Sequence, residues 1–138
     1  MRTYLPDTNA FSGFLRGQHA GLTAKMNAAM AAGELRLSAM VLAELEFGAR
    51  KAQRTLGTTR FVEKVGLLKS LFEIDSIGPG FPAAYALVRD TLEAQGVKIG
   101  DRDTIIAGHA LCLDAIVVSR NMDEFTRVAG LRVENWET

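Results

Sequence analysis

A chain of 138 residues has room for one domain, and 48% hydrophobic with 23% charged residues excludes a disordered or collagen-like polymer. Sixteen Lys and Arg balance sixteen Asp and Glu, so there is no basic coat for nucleic acid; any RNA or DNA contact must come from local patches or metal ions. One cysteine, Cys112, permits no intrachain disulfide, and the longest uninterrupted apolar run, Ala83–Val88, is far shorter than the ~20 residues of a membrane helix, so the expected setting is the cytoplasm, with no membrane.

Thr3–Leu5 reads as a short strand running into Pro6-Asp7-Thr8-Asn9, where Asp7 or Thr8 is placed to cap a helix carrying Phe11, Phe14 and Leu15. Leu22–Ala32 is a second helix that Gly33 should end. Glu34–Ser38 alternates like a strand, and a long helix follows from about Met40 with Val41, Leu45 and Gly48 inward. Helical period continues over Thr58–Lys69, then a third strand over Leu71–Asp75 and a loop over Ser76–Gly80. Pro82 opens a helix that Gly96 stops, and Asp101–Leu113 is the next. Ala115–Val118 is the continuous apolar run of a strand buried on both faces, and Leu131–Val133 is a short closing strand. This alternation predicts a single α/β domain over 1–138, with a central, mostly parallel sheet of four to five strands and helices on both faces.

Ligands of open α/β sheets bind beyond the carboxyl ends of the strands, which is where Asp7 falls. Glu44 and Glu46 lie two apart in one helix and so occupy different faces. Glu44 neighbours Val41, Phe47 and Gly48 on a largely apolar, inward face, whereas Glu46 reads as a solvated partner of Arg50. In Asp101-Arg102-Asp103, Asp101 is the better N-cap and Asp103 shares the sheetward face with Ile106 and Ala107. After the buried strand, Ser119–Phe125 adds a polar cluster in which Asn121 and Glu124 stand one helical turn apart. Carboxylates converging there without a basic partner repel one another, at about 4 kcal/mol for a pair ~4 Å apart in a dielectric of ~20. A hard divalent cation removes that cost, and oxygen ligands favour Mg²⁺ or Mn²⁺ over zinc.

Asp7-Thr8-Asn9, Ala43-Glu44-Leu45-Glu46-Phe47-Gly48-Ala49 after Ser38, and the run Ile99–Ala110 containing Gly100-Asp101-Arg102-Asp103 resemble the PIN domain. The ending Arg120-Asn121-Met122-Asp123-Glu124-Phe125, with Gly130–Trp136, is similar to VapC-like ribonuclease toxins, and the match covers nearly the whole chain in order. The resemblance implies a PIN-like three-layer fold and a Mg²⁺-dependent endoribonuclease. It assigns metal-binding acids to Asp7, Glu44 and Asp103 and a fourth polar position to Glu124. Asn121, Asp101, Thr8 and Asn9 are supporting positions. It also implies an RNA substrate, a cognate antitoxin and a homodimer, to which the apolar helix faces around Leu42, Leu45, Phe61 and Leu68 would contribute.

Two departures stand out: Pro6 replaces an apolar strand residue, and Asp101 adds an extra carboxylate where a neutral residue or proline is common. An aspartyl-phosphate phosphatase would need a second Asp where Asn9 stands, and a PIN-like binding module without catalysis is the other alternative. His109 and Cys112 read as packed core residues, Arg102 and Arg120 as phosphate holders or solvated arginines, and Trp136 as packing on the terminus or a partner.

Overall fold

The buried strand β1 (Tyr4–Pro6) pairs in parallel with β4 (Ile116–Val118), Leu5 opposite Val117, and β4 pairs in parallel with β5 (Val133–Glu134). A second parallel pair, β2 (Leu37–Ser38) with β3 (Ile74–Asp75), joins β1 through one bridge between Tyr4 and Leu35. Two hydrogen bonds make that bridge: Tyr4 N donates to Glu34 O (2.7 Å) and Arg36 N to Tyr4 O (2.9 Å). The spatial order is therefore β3-β2-β1-β4-β5, five parallel strands in a computed structural model that describes residues 2–137.

Pro6 accounts for the single bridge. Backbone donors alternate along a strand, so Pro6 faces the same neighbour as Tyr4 and has no N–H with which to continue the ladder toward β2. On the other edge the ladder is intact, and Asp7 N donates to Val118 O at 3.0 Å. The proline therefore weakens one seam of the sheet and leaves the β1–β4 pair whole.

The helices are α1 (Thr8–Arg16), α2 (Ala20–Ala31), α3 (Ala39–Leu56), α4 (Arg60–Leu71), α5 (Phe81–Ala94), α6 (Asp101–Leu113) and the single turn α7 (Met122–Phe125). Gly33 and Gly96 follow α2 and α5 in the left-handed region (φ 71° and 68°), as their positions predict. Helix α4 runs on to Leu71, which shortens β3 to two residues, and a turn returning Leu131 N to Val128 O moves β5 two residues later than the alternation suggests. α6 lies close against α5: a Cβ on Gly108 would come within 3.2 Å of the Tyr85 backbone.

Leu5, Phe11, Leu37, Val117 and Phe125 are wholly buried and form the heart of the core. Leu42, Leu45 and Leu68 belong to this same core, which corrects their assignment to a dimer surface; α3 and α4 cover one another within the chain. Phe61 is half-buried, with the Arg16 guanidinium 5.6 Å from its ring centre. Cys112 is exposed, not packed in the core, because it lies on the outward face of α6. His109 is buried with Nδ1 3.0 Å from the Ser38 hydroxyl, and burial lowers its pKa. Trp136 is buried edge-to-face on Tyr4, with centroids 4.9 Å apart, and its indole N–H donates to Glu134. Among the described residues no helix is long and apolar enough to cross a membrane.

Candidate active site

Asp7, Glu44 and Asp103 line one cleft of about 600 Å³ at the carboxyl ends of β1 and β4, together with Thr8, Asn9 and Asp101. Three different segments deliver them: the turn after β1, the first half of α3, and the first turn of α6.

Asp7 is only 4% exposed and has two structural partners. Its Oδ1 accepts from Ala10 N at 2.9 Å, capping α1, and its Oδ2 accepts from the Ser119 hydroxyl at 2.6 Å. Burial raises its carboxyl above the ordinary range, against the pull of these two hydrogen bonds. The capping role and a place in the cleft therefore coexist. Ser119 is the functional neighbour that sequence reasoning left without a partner. The signal for it was register: Pro6 pairs with Val118, so Asp7 and Ser119 emerge side by side at the same rim.

Asp103 is half-buried, and its Oδ2 accepts from the Asn121 amide at 2.8 Å. The same amide donates to Glu124 Oε2, and Glu124 Oε1 accepts from Gly100 N at 3.2 Å. Burial and the neighbouring Glu124 push the Asp103 carboxyl up to about 7, while hydrogen bonds from Asp103 and Asn121 hold Glu124 below its usual range. Of the two, Asp103 is the acid that takes up a proton first, and it is about half protonated at neutral pH. The N-cap of α6 is Gly100 (φ −59°, ψ 149°), not Asp101; the helix begins one residue earlier than a capping Asp101 requires, and Asp101 sits exposed in the first turn.

Glu44 reaches the cleft for a different reason from the one its neighbours suggest. Val41 on this face is buried, but Phe47 is 60% exposed and Gly48 is also exposed, so beyond Val41 this face of α3 turns to the cleft and solvent, not into the core. Glu44 is held instead by Arg102, whose Nη1 lies 3.1 Å from Glu44 Oε2. The cleft acids thus have a basic partner that the repulsion argument did not include. Glu46 faces away toward α4 and pairs with Lys69 Nζ at 2.9 Å in place of Arg50, because packing of α4 along α3 brings a distant lysine closer than the local arginine.

Among the described residues no three His, Cys, Asp or Glu side chains stand close enough together to hold one ion between them. The donor set is nevertheless that of a hard cation: carboxylate oxygens from separate elements, partly desolvated and turned to one concavity. Ser119 occupies Asp7, Arg102 occupies Glu44, and a proton taken up near neutral pH occupies Asp103.

Asp7→Asn tests the balance at the most buried of these acids. The amide oxygen keeps the cap and the amide N–H₂ meets the Ser119 oxygen, while the buried charge disappears. The variant should melt higher than the parent in chelator, by roughly 2–8 °C for a gain of about 1 kcal/mol. Asp7→Ala, which loses both partners, should melt lower. Thermal melts of all three proteins separate charge burial from capping, and an Asn variant that melts with the Ala variant would show that the charge itself stabilises the fold.

A sequence profile of the PIN domain matches residues 4–131. The chain is 32% identical over 136 residues to Ribonuclease VapC2 of Haemophilus influenzae, covering 99% of both. It is 31% identical over 140 residues to the tRNA(fMet)-specific endonuclease VapC of Shigella flexneri, again covering 99% of each chain. The fold superposes on the crystal structure of VapBC2 from Rickettsia felis bound to a promoter DNA fragment with a TM-score of 0.85 and 28% identity, covering 97% of this chain and 98% of that one. The five parallel strands, the acids gathered at their carboxyl rim and these likenesses agree: the chain belongs to the PIN-domain family.

Proposed function

We propose that this protein is a Mg²⁺-dependent endoribonuclease, with Mn²⁺ as an alternative ion, acting as the toxin of a toxin–antitoxin pair. The observation that carries the reading is the delivery of Asp7, Glu44 and Asp103 by three separate segments to one cleft of a PIN fold. These three would hold the ion only after drawing closer together, since as they stand no three such side chains among the described residues are near enough to share one. Bound there, it supplies a polarised phosphoryl oxygen and a water of lowered pKa. Ser119 fixes the orientation of Asp7, and Asn121 fixes Asp103 while Glu124 holds the Asn121 amide in place. The half-buried floor around Asp103 keeps charge interactions strong at the reacting centre.

The relatives' names support RNA as substrate, and the Rickettsia felis structure is of a VapBC complex, which supports a cognate antitoxin as partner. A homodimer belongs to the same proposal, as does a cytoplasmic setting. Phe47, Leu56, Leu67 and Leu87, all well exposed, offer apolar surface for such partners in place of the buried leucines.

Incubating the purified protein with total RNA and with a transcript of initiator tRNA, in Mg²⁺ or in chelator, and mapping the new ends tests the reading. Discrete new ends should appear in Mg²⁺ alone. Intact RNA in Mg²⁺ with a folded protein, or equal cleavage in chelator, would overturn it.

A further inference from the structure

Arg102 stands where helix electrostatics disfavour it. It is the second residue of α6, in the first turn, where the exposed peptide N–H groups carry partial positive charge and acids are preferred. A residue that breaks a local rule calls for a compensating role. Its side chain is 76% exposed yet reaches across the cleft to Glu44, whose own side chain is only 19% exposed. The pair joins α6 to α3 over the mouth of the cleft. With one partner so exposed, it contributes little to stability and exchanges readily. The chain has no net positive charge, so a phosphodiester entering the cleft must be met by individual arginines, and Arg102 is already at the entrance.

Building on the metal-dependent ribonuclease reading, we infer that Arg102 is a positioning residue that exchanges partners. It neutralises Glu44 while the cleft lacks a cation, and when a divalent ion takes Glu44 the freed guanidinium holds a phosphate of the RNA. The planar fork suits both partners, since carboxylate and phosphate each accept two parallel N–H bonds.

Two measurements on the full chain test this, comparing the parent with Arg102→Ala and Arg102→Lys. In the absence of RNA, thermal midpoints across a Mg²⁺ titration report ion affinity. Arg102→Ala should bind Mg²⁺ roughly two- to fivefold more tightly, because an internal competitor worth no more than an exposed ion pair is gone. In cleavage assays the same variant should raise KM with a smaller change in kcat, and the slope of log KM against log salt should shrink by about 0.7, the loss of one phosphate contact to a single strand. Arg102→Lys should recover the salt slope, because it keeps the charge. A parent whose midpoint does not respond to Mg²⁺ would overturn the metal reading, and this inference with it. In a parent that does respond, unchanged or weaker Mg²⁺ affinity, or an unchanged salt slope, in Arg102→Ala would overturn this inference alone.

Discussion

Glu44→Gln is expected to lower RNA cleavage by at least about 100-fold, whereas Glu46→Gln should remain within about twofold of the parent. The two carboxylates lie two residues apart on α3, which turns them to different sides of the helix. Glu44 lines the cleft with Asp7 and Asp103 and meets Arg102, while Glu46 borders a groove against α4 and meets Lys69. In the proposed metal-dependent reading, replacing Glu44 would remove a charged oxygen ligand and leave an amide that binds a hard cation poorly, so about 2.7 kcal/mol of transition-state stabilisation is a modest requirement. Replacing Glu46 removes an exposed ion pair of the kind that contributes at most about 1 kcal/mol to folding. Initial rates in Mg²⁺, with melts to show that both variants are folded, decide the matter. Equal losses in the two folded variants would contradict the assignment of Glu44 to the cleft.

The metal-free protein should lose stability as pH rises from about 6.5 to 8.5, the reverse of the usual trend for a protein rich in paired carboxylates. The Asp103 carboxyl stands at about 7 in the folded chain against an ordinary 3.8, so folding favours its protonated form. Its contribution is complete below the ordinary carboxyl range and is lost as pH rises through about 7. Glu124, held low, gives up its contribution only in acid, and buried His109 destabilises the fold only as pH falls below its ordinary 6.5. The window above 6.5 is therefore left to the two raised acids, Asp103 and Asp7, and the Asp103→Asn variant separates them. Most of the loss falls below pH 6.5, and after allowance for solvent screening at a half-buried site the drop across this window should be about 0.5 kcal/mol, or roughly 1–2 °C at this chain length. Asp103→Asn should flatten the dependence, and saturating Mg²⁺ should reverse it, because the ion binds the deprotonated acid. A midpoint in chelator that rises across this window would show that Asp103 is ionised throughout.

Much of this architecture is written in local sequence. The apolar run at Ala115–Val118, the Pro82 start of α5 and the glycines after α2 and α5 act over a few residues, so the spacing of strands and helices follows from them. The rim position of Asp7 and the first-turn position of Asp103 follow as well, since each depends only on the element beside it. What escaped depends on long-range packing. Lys69 reaches Glu46 from 23 residues away, Arg102 reaches Glu44 from another helix, and Ser119 reaches Asp7 across 112 residues through strand register. Apolar spacing also shows which residues share a helix face but not what covers that face. This is why Phe47 lies open, Leu42 and Leu45 are enclosed, and Cys112 faces solvent.

The proline in β1 has a mechanical consequence for the cleft. Asp7 and Ser119 directly follow β1 and β4, which are tied by a continuous ladder. Glu44 rides on the block of β2 and α3, which meets that ladder through the two hydrogen bonds around Tyr4 and through side-chain packing. The seam between that block and β1 is therefore weaker than the β1–β4 seam, and its backbone amides should exchange with solvent sooner.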